Sequence, residues 1–152
     1  MLLALDGHEP VIGNTGVNCL LVPLRDEAAL LRIKPDFPAI ERVSSESDLV
    51  EYYVFSTQTR IAGRDAGARM FAPLYGIPEE SATGMAAGPL ACYLYDKLDI
   101  KKRTLIIEQG HLMNPPSPSE LTAELSIEDG KITKLMVGGR AVESRTIEVE
   151  VD

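Results

Sequence analysis

Two adjacent carboxylates stand directly before a run of small residues in the stretch PEESATGMAAGPL, residues 78–90. Carboxylates at positions such as Glu79 and Glu80 can donate and accept protons in general acid–base catalysis. Ser81 and Thr83 are residue types that cap helix N-termini, so a helix is predicted to begin directly after them. The stretch therefore places two proton-handling groups at the predicted start of a helix.

This predicted helix start has two interpretations. The first N–H groups of a helix have no partner within the helix, and together with the helix dipole they attract an anion. Small residues around Gly84 let a ligand approach these groups, which predicts a carboxylate site with Glu79 or Glu80 beside it. In the alternative, Ser81 and Thr83 only cap the helix, the glutamates favour its positive end, and the small residues allow close packing. The local chemistry leaves both interpretations open.

The helix itself is predicted over residues 84–98 and is apolar on every face. Its larger apolar residues recur at spacings of four or five: Met85, Leu90, Leu94 and Leu98. A helix of this kind is surrounded by protein on all sides. Pro89 is tolerated only near a helix start, because it removes a backbone hydrogen bond and crowds the preceding turn. The first turn is therefore predicted at residues 84–87.

The elements around this helix are mostly strands. Alternation and β-branched or aromatic residues predict strands at 17–24, 49–55, 68–74, 104–109, 121–128, 132–137 and 146–151. Short helices are predicted at 26–34, with Asp26 as the cap, and at 38–45. Strands of the second half follow one another without helices between them. We therefore predict a single α+β domain over residues 1–152, with a mainly antiparallel β-sheet wrapped around the central α-helix.

Composition narrows the function. The chain has 152 residues, a formal net charge of -8, 45% hydrophobic and 25% charged residues, which predicts a cytoplasmic protein without membrane segments. Nucleic acid and anionic membranes are not expected as partners, because the longest basic cluster is residues 101–103. Cys19 and Cys92 lie in apolar segments without metal-ligand spacing, and the chain has only two histidines. Buried reduced thiols and no metal site are therefore predicted.

The residues around the helix start are similar to a known signature. The stretch RMFAP, residues 69–73, followed by GIPEESATGMAAGPLACYL from Gly76, resembles the C-terminal domain signature of the PhzF-like family, R-x-F-x-P and then G-x-x-E-D-P-A-T-G-S-A. Further matches extend over nearly the whole chain: Thr15-Gly16, residues 53–55, residues 108–110 with Pro116-Ser117, and residues 137–139 with Ala141-Val142.

The resemblance implies one half of a diaminopimelate-epimerase-like fold, in which two similar domains each wrap a sheet around a helix and share a cleft. It also implies isomerisation or epimerisation of a small carboxylate-bearing metabolite by proton transfer, without a cofactor. The sequence is similar to the second domain alone. Its expected partners are therefore the small metabolite and either a second copy of the chain or a separate subunit that supplies the first domain.

The resemblance also implies site residues. The aspartate of the family signature falls on Glu80, which becomes the expected catalytic residue. Ala82, Thr83 and Gly84 match the signature, and Met85 replaces its serine, so these four are the expected substrate-binding residues. Ser81 replaces the proline of the signature. A catalytically inactive module that binds a ligand or mediates oligomerisation is the alternative, favoured by the loss of a hydroxyl at Met85.

Overall fold

The computed structural model describes residues 4–143 and 145–150, which form eight strands and three α-helices. In chain order the elements are β1 Val11–Asn14, β2 Asn18–Pro23, α1 Glu27–Arg32, α2 Phe37–Ser47, β3 Glu51–Ser56, β4 Ala66–Ala72, β5 Ile77–Glu80, α3 Gly84–Asp96, β6 Thr104–Gln109, β7 Ser119–Glu128 and β8 Lys131–Gly139. A short 3₁₀ turn, Pro73–Tyr75, connects β4 to β5.

The strands form one sheet in the order β1-β2-β3-β4-β6-β7-β8, and β5 pairs with β4 beside this path. Pairing is antiparallel except between β2 and β3 and between β4 and β6. Both parallel pairs are joined by a helical crossover, α1 and α2 in the first case and α3 in the second, as parallel pairing requires. The predicted α+β class and mainly antiparallel sheet are confirmed.

The predicted strands differ from the structure in three places. The strands β1 and β5 were not predicted from the sequence, because each has only four residues and contains glycine or proline, which weakens a strand pattern. The strand predicted at 146–151 is wrong over its described part, residues 146–150, which contains no strand. Alternation in a sequence does not make a strand unless a partner strand pairs with it. The last position of that prediction, residue 151, lies outside the described residues.

The central helix α3 lies inside the curled sheet. It packs against β1 and β2 at one end of the strand order and against β7 and β8 at the other, so the sheet must curve around it. Leu90 and Leu94 are fully buried, and the ring of Tyr93 meets Phe55 of β3 edge-on at 5.4 Å. The helices α1 and α2 cover the outer face of the sheet, where a second apolar cluster surrounds Leu30. The predicted burial of α3 is confirmed.

Pro89 is the sixth residue of α3, which begins at the predicted residue Gly84. Proline lacks the N–H that would bond the carbonyl oxygen of Met85 four residues earlier. The Thr15 hydroxyl, in the turn between β1 and β2, donates to that oxygen instead at 2.9 Å. Gly13 of β1 allows the close approach, because an added Cβ would lie 2.5 Å from the Pro89 Cβ. The β1–β2 turn therefore replaces the hydrogen bond that Pro89 removes.

Within the described residues, no helix is both long and apolar enough to cross a membrane. The cytoplasmic location predicted from composition stays a prediction.

Candidate active site at the start of the central helix

The five residues predicted for the site lie together in one turn between β5 and α3. Glu80 is the last residue of β5 and is half-buried, and Thr83 is the buried N-cap of α3. Ala82, Gly84 and Met85 are exposed, and the Met85 side chain is the largest apolar group at this end of the helix. The roles assigned to these residues stay predictions.

Strand alternation gives the two adjacent glutamates different surroundings. Arg69 of β4 binds Glu79 through two parallel hydrogen bonds, from Nε to Oε1 at 2.8 Å and from Nη2 to Oε2 at 2.9 Å. The Nη1 atom of Arg69 also donates to the carbonyl oxygens of Leu30 and Ile33, at the end of α1. Glu79 therefore belongs to the outer face of the sheet. Glu80 points to the opposite face, where α3 begins.

Thr83 does not cap α3 with its side chain, contrary to the capping role predicted for it. Its hydroxyl donates to Glu80 Oε2 at 2.6 Å and makes no capping hydrogen bond to the helix. The first backbone bond within the helix runs from Ala87 N–H to the Thr83 carbonyl oxygen at 3.1 Å. The N–H groups of Gly84 and Met85 precede this bond and have no acceptor within the helix. The Glu80 carboxylate is thus bonded to the N-cap residue of α3.

A buried chain of hydrogen bonds ends at Glu80. The Tyr53 hydroxyl of β3 donates to Gln109 Oε1 at 2.8 Å. Gln109 Nε2 donates to Thr83 Oγ1 at 3.0 Å and to the Glu80 carbonyl oxygen at 2.8 Å. Tyr53, Gln109 and Thr83 are 0%, 1% and 4% exposed. Tyr53 and Gln109 cannot be recognised as site residues from the sequence, because their proximity to Glu80 depends on pairing between strands.

A third carboxylate lies beneath the helix start. Glu51, at the first position of β3, is 6% exposed and pairs in register with Cys19 of β2. Its Oε2 atom has no hydrogen-bond partner among the described residues. Burial, and then the charge of Glu80, raise the pKa of Glu51, while a hydrogen bond from Cys19 opposes this shift. The burial of Glu51 was not predicted, although a glutamate within the apolar run EYYVF is a signal for it.

Cys19 is fully buried beside Glu51. Burial, and then the charge of Glu51, raise the pKa of the Cys19 thiol far above its ordinary value, so the thiol stays protonated. Since the thiolate is the reactive form of cysteine, Cys19 is unsuited to nucleophilic chemistry. The buried reduced thiol predicted at this position agrees with the structure, whereas Cys92, for which the same was predicted, is only partly buried.

A cavity of about 230 Å³ lies beside the ends of β6 and β7 that meet at Gln109 and Ser119. Arg64, Glu108, His111 and Glu120 are among its lining residues. The Glu108 carboxylate already accepts hydrogen bonds from the backbone N–H groups of Arg60 and Ile61. The cavity contains none of the residues predicted for the site.

Comparisons with known proteins agree with this architecture. The family described as phenazine biosynthesis-like protein matches residues 2–146. An isomerase of Deinococcus radiodurans, described as uncharacterized, is 33% identical over 138 residues, which are 87% of this chain and 42% of that protein. The trans-2,3-dihydro-3-hydroxyanthranilate isomerase of Pseudomonas chlororaphis is 34% identical over 133 residues, which are 86% of this chain and 44% of that protein.

The crystal structure of a PhzF-family phenazine biosynthesis protein from Bacillus anthracis matches with a TM-score of 0.66 at 22% identity, over 85% of this chain and 48% of that one. The fold is therefore one half of the PhzF and diaminopimelate-epimerase-like architecture, a mixed, curled sheet around a helix. The chain belongs to the phenazine biosynthesis-like protein family, and its relatives there include isomerases. It spans less than half the length of each of these three proteins.

Proposed function

We propose that this chain supplies one half of the active site of an isomerase or epimerase that moves a proton on a small carboxylate metabolite without a cofactor. Glu80 accepts and returns the proton. The backbone at Ala82, Thr83, Gly84 and Met85 binds the carboxylate of the substrate, or the negative charge that develops on it. The observation that carries the proposal is the Glu80 carboxylate bonded to the N-cap residue of α3, whose side chain makes no capping bond to the helix.

The second half of the site comes from a further domain or from a second copy of the chain. Two observations support this part of the proposal: Ala82, Gly84 and Met85 are exposed, and the chain spans less than half of its relatives. An open site admits water, which weakens the electrostatic interactions on which proton transfer from carbon depends. Covering the helix start therefore adds to activity as well as to substrate binding.

A direct test measures deuterium incorporation into candidate substrates in heavy water, by mass spectrometry and NMR. Small carboxylates, with trans-2,3-dihydro-3-hydroxyanthranilate among them, are incubated with the chain over a range of protein concentrations. Exchange that rises faster than the protein concentration indicates that a second copy completes the site. Exchange that needs a co-purified polypeptide indicates a separate subunit.

Substitution Glu80→Gln gives the decisive comparison. The amide oxygen of glutamine still accepts the Thr83 hydroxyl, so the melting temperature is expected to stay nearly unchanged while exchange is lost. The matched control is Glu46→Gln, on the exposed face of α2, which is expected to leave exchange unchanged. Undiminished exchange in Glu80→Gln removes Glu80 from the mechanism.

The alternative is an inactive module that retains the fold for ligand binding or oligomerisation. Met85 favours it, because an apolar side chain that is 45% exposed suits a protein contact better than a polar ligand. Sedimentation measurements distinguish the two functions. A stable dimer that binds no carboxylate and catalyses no exchange supports the alternative.

A further inference from the structure

The buried hydrogen bonds between Tyr53 and Glu80 have only one possible direction. The Glu80 carbonyl oxygen can only accept, so the Gln109 atom facing it at 2.8 Å must be the amide nitrogen. The same nitrogen faces Thr83 Oγ1, which therefore accepts from it at 3.0 Å. The hydrogen of the Thr83 hydroxyl is then free to point at Glu80 Oε2.

Tyr53, at the other end of these hydrogen bonds, also fixes the orientation of the Gln109 amide. Its Oε1 atom can only accept, so the Tyr53 hydroxyl must donate to it at 2.8 Å. Burial raises the pKa of Tyr53 well above its ordinary value, and the charges of Glu51 and Glu80 add to this shift, so this donor keeps its proton. If the Tyr53 hydroxyl is removed, the buried Oε1 loses its donor, and only the two bonds from Nε2 still hold the Gln109 amide. The amide can then shift, and the Thr83 hydroxyl that it holds shifts relative to Glu80 Oε2.

The sheet register explains how Tyr53 comes to lie near Glu80, which is two strands away. Tyr53 of β3 pairs with Met70 of β4, and Met70 pairs with Glu80 of β5. Side chains at these three positions share one face of the sheet. Gln109 at the end of β6 reaches both ends of this row, because β6 pairs with β4 on the side where β5 leaves room.

We propose that Tyr53 and Gln109 are positioning residues that orient the Glu80 carboxylate through the Thr83 hydroxyl. The effect of these two residues on catalysis rests on the proposed function, in which Glu80 is the group that exchanges the proton. The positioning role also explains why Thr83 occupies the N-cap without capping α3. Its Oγ1 atom accepts from Gln109 and its hydrogen is donated to Glu80, so the hydroxyl is directed at these two residues and accepts from no helix N–H.

The test follows the ¹³C resonance of the Glu80 side-chain carboxylate by NMR at neutral pH, in the whole chain. Substitution Tyr53→Phe removes one oxygen atom and is expected to move this resonance. The matched control is Tyr52→Phe, because Tyr52 lies next in sequence but bonds Ile40 and Ser44 on the outer face of the sheet. The control is expected to leave the resonance in place.

A second pair of variants tests the same series of hydrogen bonds at Thr83. Thr83→Val, which keeps the shape and loses the hydroxyl, is expected to move the Glu80 resonance, whereas Thr83→Ser is expected to restore it. Combining Tyr53→Phe with Thr83→Val is expected to give no further movement, because both act through one hydrogen bond. If Tyr53→Phe does not fold, Gln109→Met tests the same link with a side chain of similar length.

The inference is overturned if Tyr53→Phe or Gln109→Met leaves the Glu80 resonance in place, or if the two changes add independently. Kinetics provide a separate measurement: Tyr53→Phe is expected to lower kcat roughly tenfold with little change in KM, since a displaced catalytic group slows the reaction rather than binding. If the Tyr53 and Thr83 variants move the Glu80 resonance but the protein has no activity, only the proposed function is contradicted. If the protein is active but these variants leave the resonance in place, only the positioning role is contradicted.

Discussion

Replacing Gly13 with alanine tests how the start of α3 is held against the sheet. An added Cβ would lie 2.5 Å from the Pro89 Cβ and 3.3 Å from its Cγ, whereas carbon atoms pack best at about 3.5–4.0 Å. The Pro89 ring is closed onto its own backbone and cannot rotate away, so β1 or the first turns of α3 must move by about 1 Å. Overpacking of this kind costs about 1–3 kcal/mol of unfolding free energy.

Alanine also reduces the entropy of the unfolded chain, which offsets up to about 1 kcal/mol of this cost. For a domain of this size, each 1 kcal/mol of net loss lowers the melting temperature by about 2–4 °C. Urea unfolding of the variant and the parent chain measures the difference. Hydrogen exchange at the Ala87 amide reports whether the loss is local to the helix start, since this amide makes the first bond of α3.

Gly138→Ala is the matched control, because Gly138 is also a strand glycine and its added Cβ would meet no atom within 4 Å. We expect its unfolding free energy to stay within about 0.5 kcal/mol of the parent or to rise. Equal effects of the two substitutions would refute the close contact between Gly13 and Pro89. So would a destabilised Gly13→Ala variant in which the exchange of Ala87 is unchanged.

Three further perturbations follow from the same contacts. Because burial raises the folded-state pKa of Glu51 above 4.5, the stability linked to its protonation is full below pH 4.5 and is lost as pH rises through the raised value. Glu51→Gln stays neutral, so its unfolding free energy in urea should exceed that of the parent by a margin that grows with pH, and a constant margin would contradict this. Thr15→Val removes the donor to the Met85 carbonyl and should cost about 0.5–1.5 kcal/mol with faster amide exchange in the first turn of α3; unchanged exchange would show that Thr15 does not support the helix. Leu90→Ala, at a fully buried position, should cost about 2–5 kcal/mol in denaturant unfolding, and a loss below 1 kcal/mol would contradict the placement of α3 in the core.

The sequence predicts a helix or strand well where the residues of that element alone show its apolar pattern or its cap. The strand predicted at 104–109 has the bounds of β6, and Asp26 caps α1 through a hydrogen bond from Ala29 N–H at 2.6 Å. The α3 prediction began at the correct residue because an all-apolar helix needs no knowledge of its partners. The short β5 was missed, since four residues with a proline acquire strand character only by pairing with β4.

The candidate site was predictable only in part, for a related reason. The local order of Glu80, Thr83 and Gly84 is visible in the sequence, and so is the helix that follows. Which of two adjacent glutamates faces α3 depends on strand alternation in a strand that the sequence does not reveal. Glu51 and Gln109 are 29 residues from Glu80 on either side in the chain, and only the sheet brings them beneath the same helix start.

The contact between Glu80 and Thr83 explains how a glutamate can occupy the position where the resemblance places an aspartate. An extra methylene moves a carboxylate by about 1 Å and adds a rotatable bond, which would blur the position of a proton-transfer group. Here Oε2 is fixed by the Thr83 hydroxyl at 2.6 Å, and Thr83 is in turn fixed by Gln109. The residue that the signature supplies at the N-cap thus restrains the longer acid. If Glu80→Asp were too short to reach the Thr83 hydroxyl, it would lower activity despite restoring the residue of the signature, and higher activity in this variant would show that the Thr83 contact does not set the position of the acid.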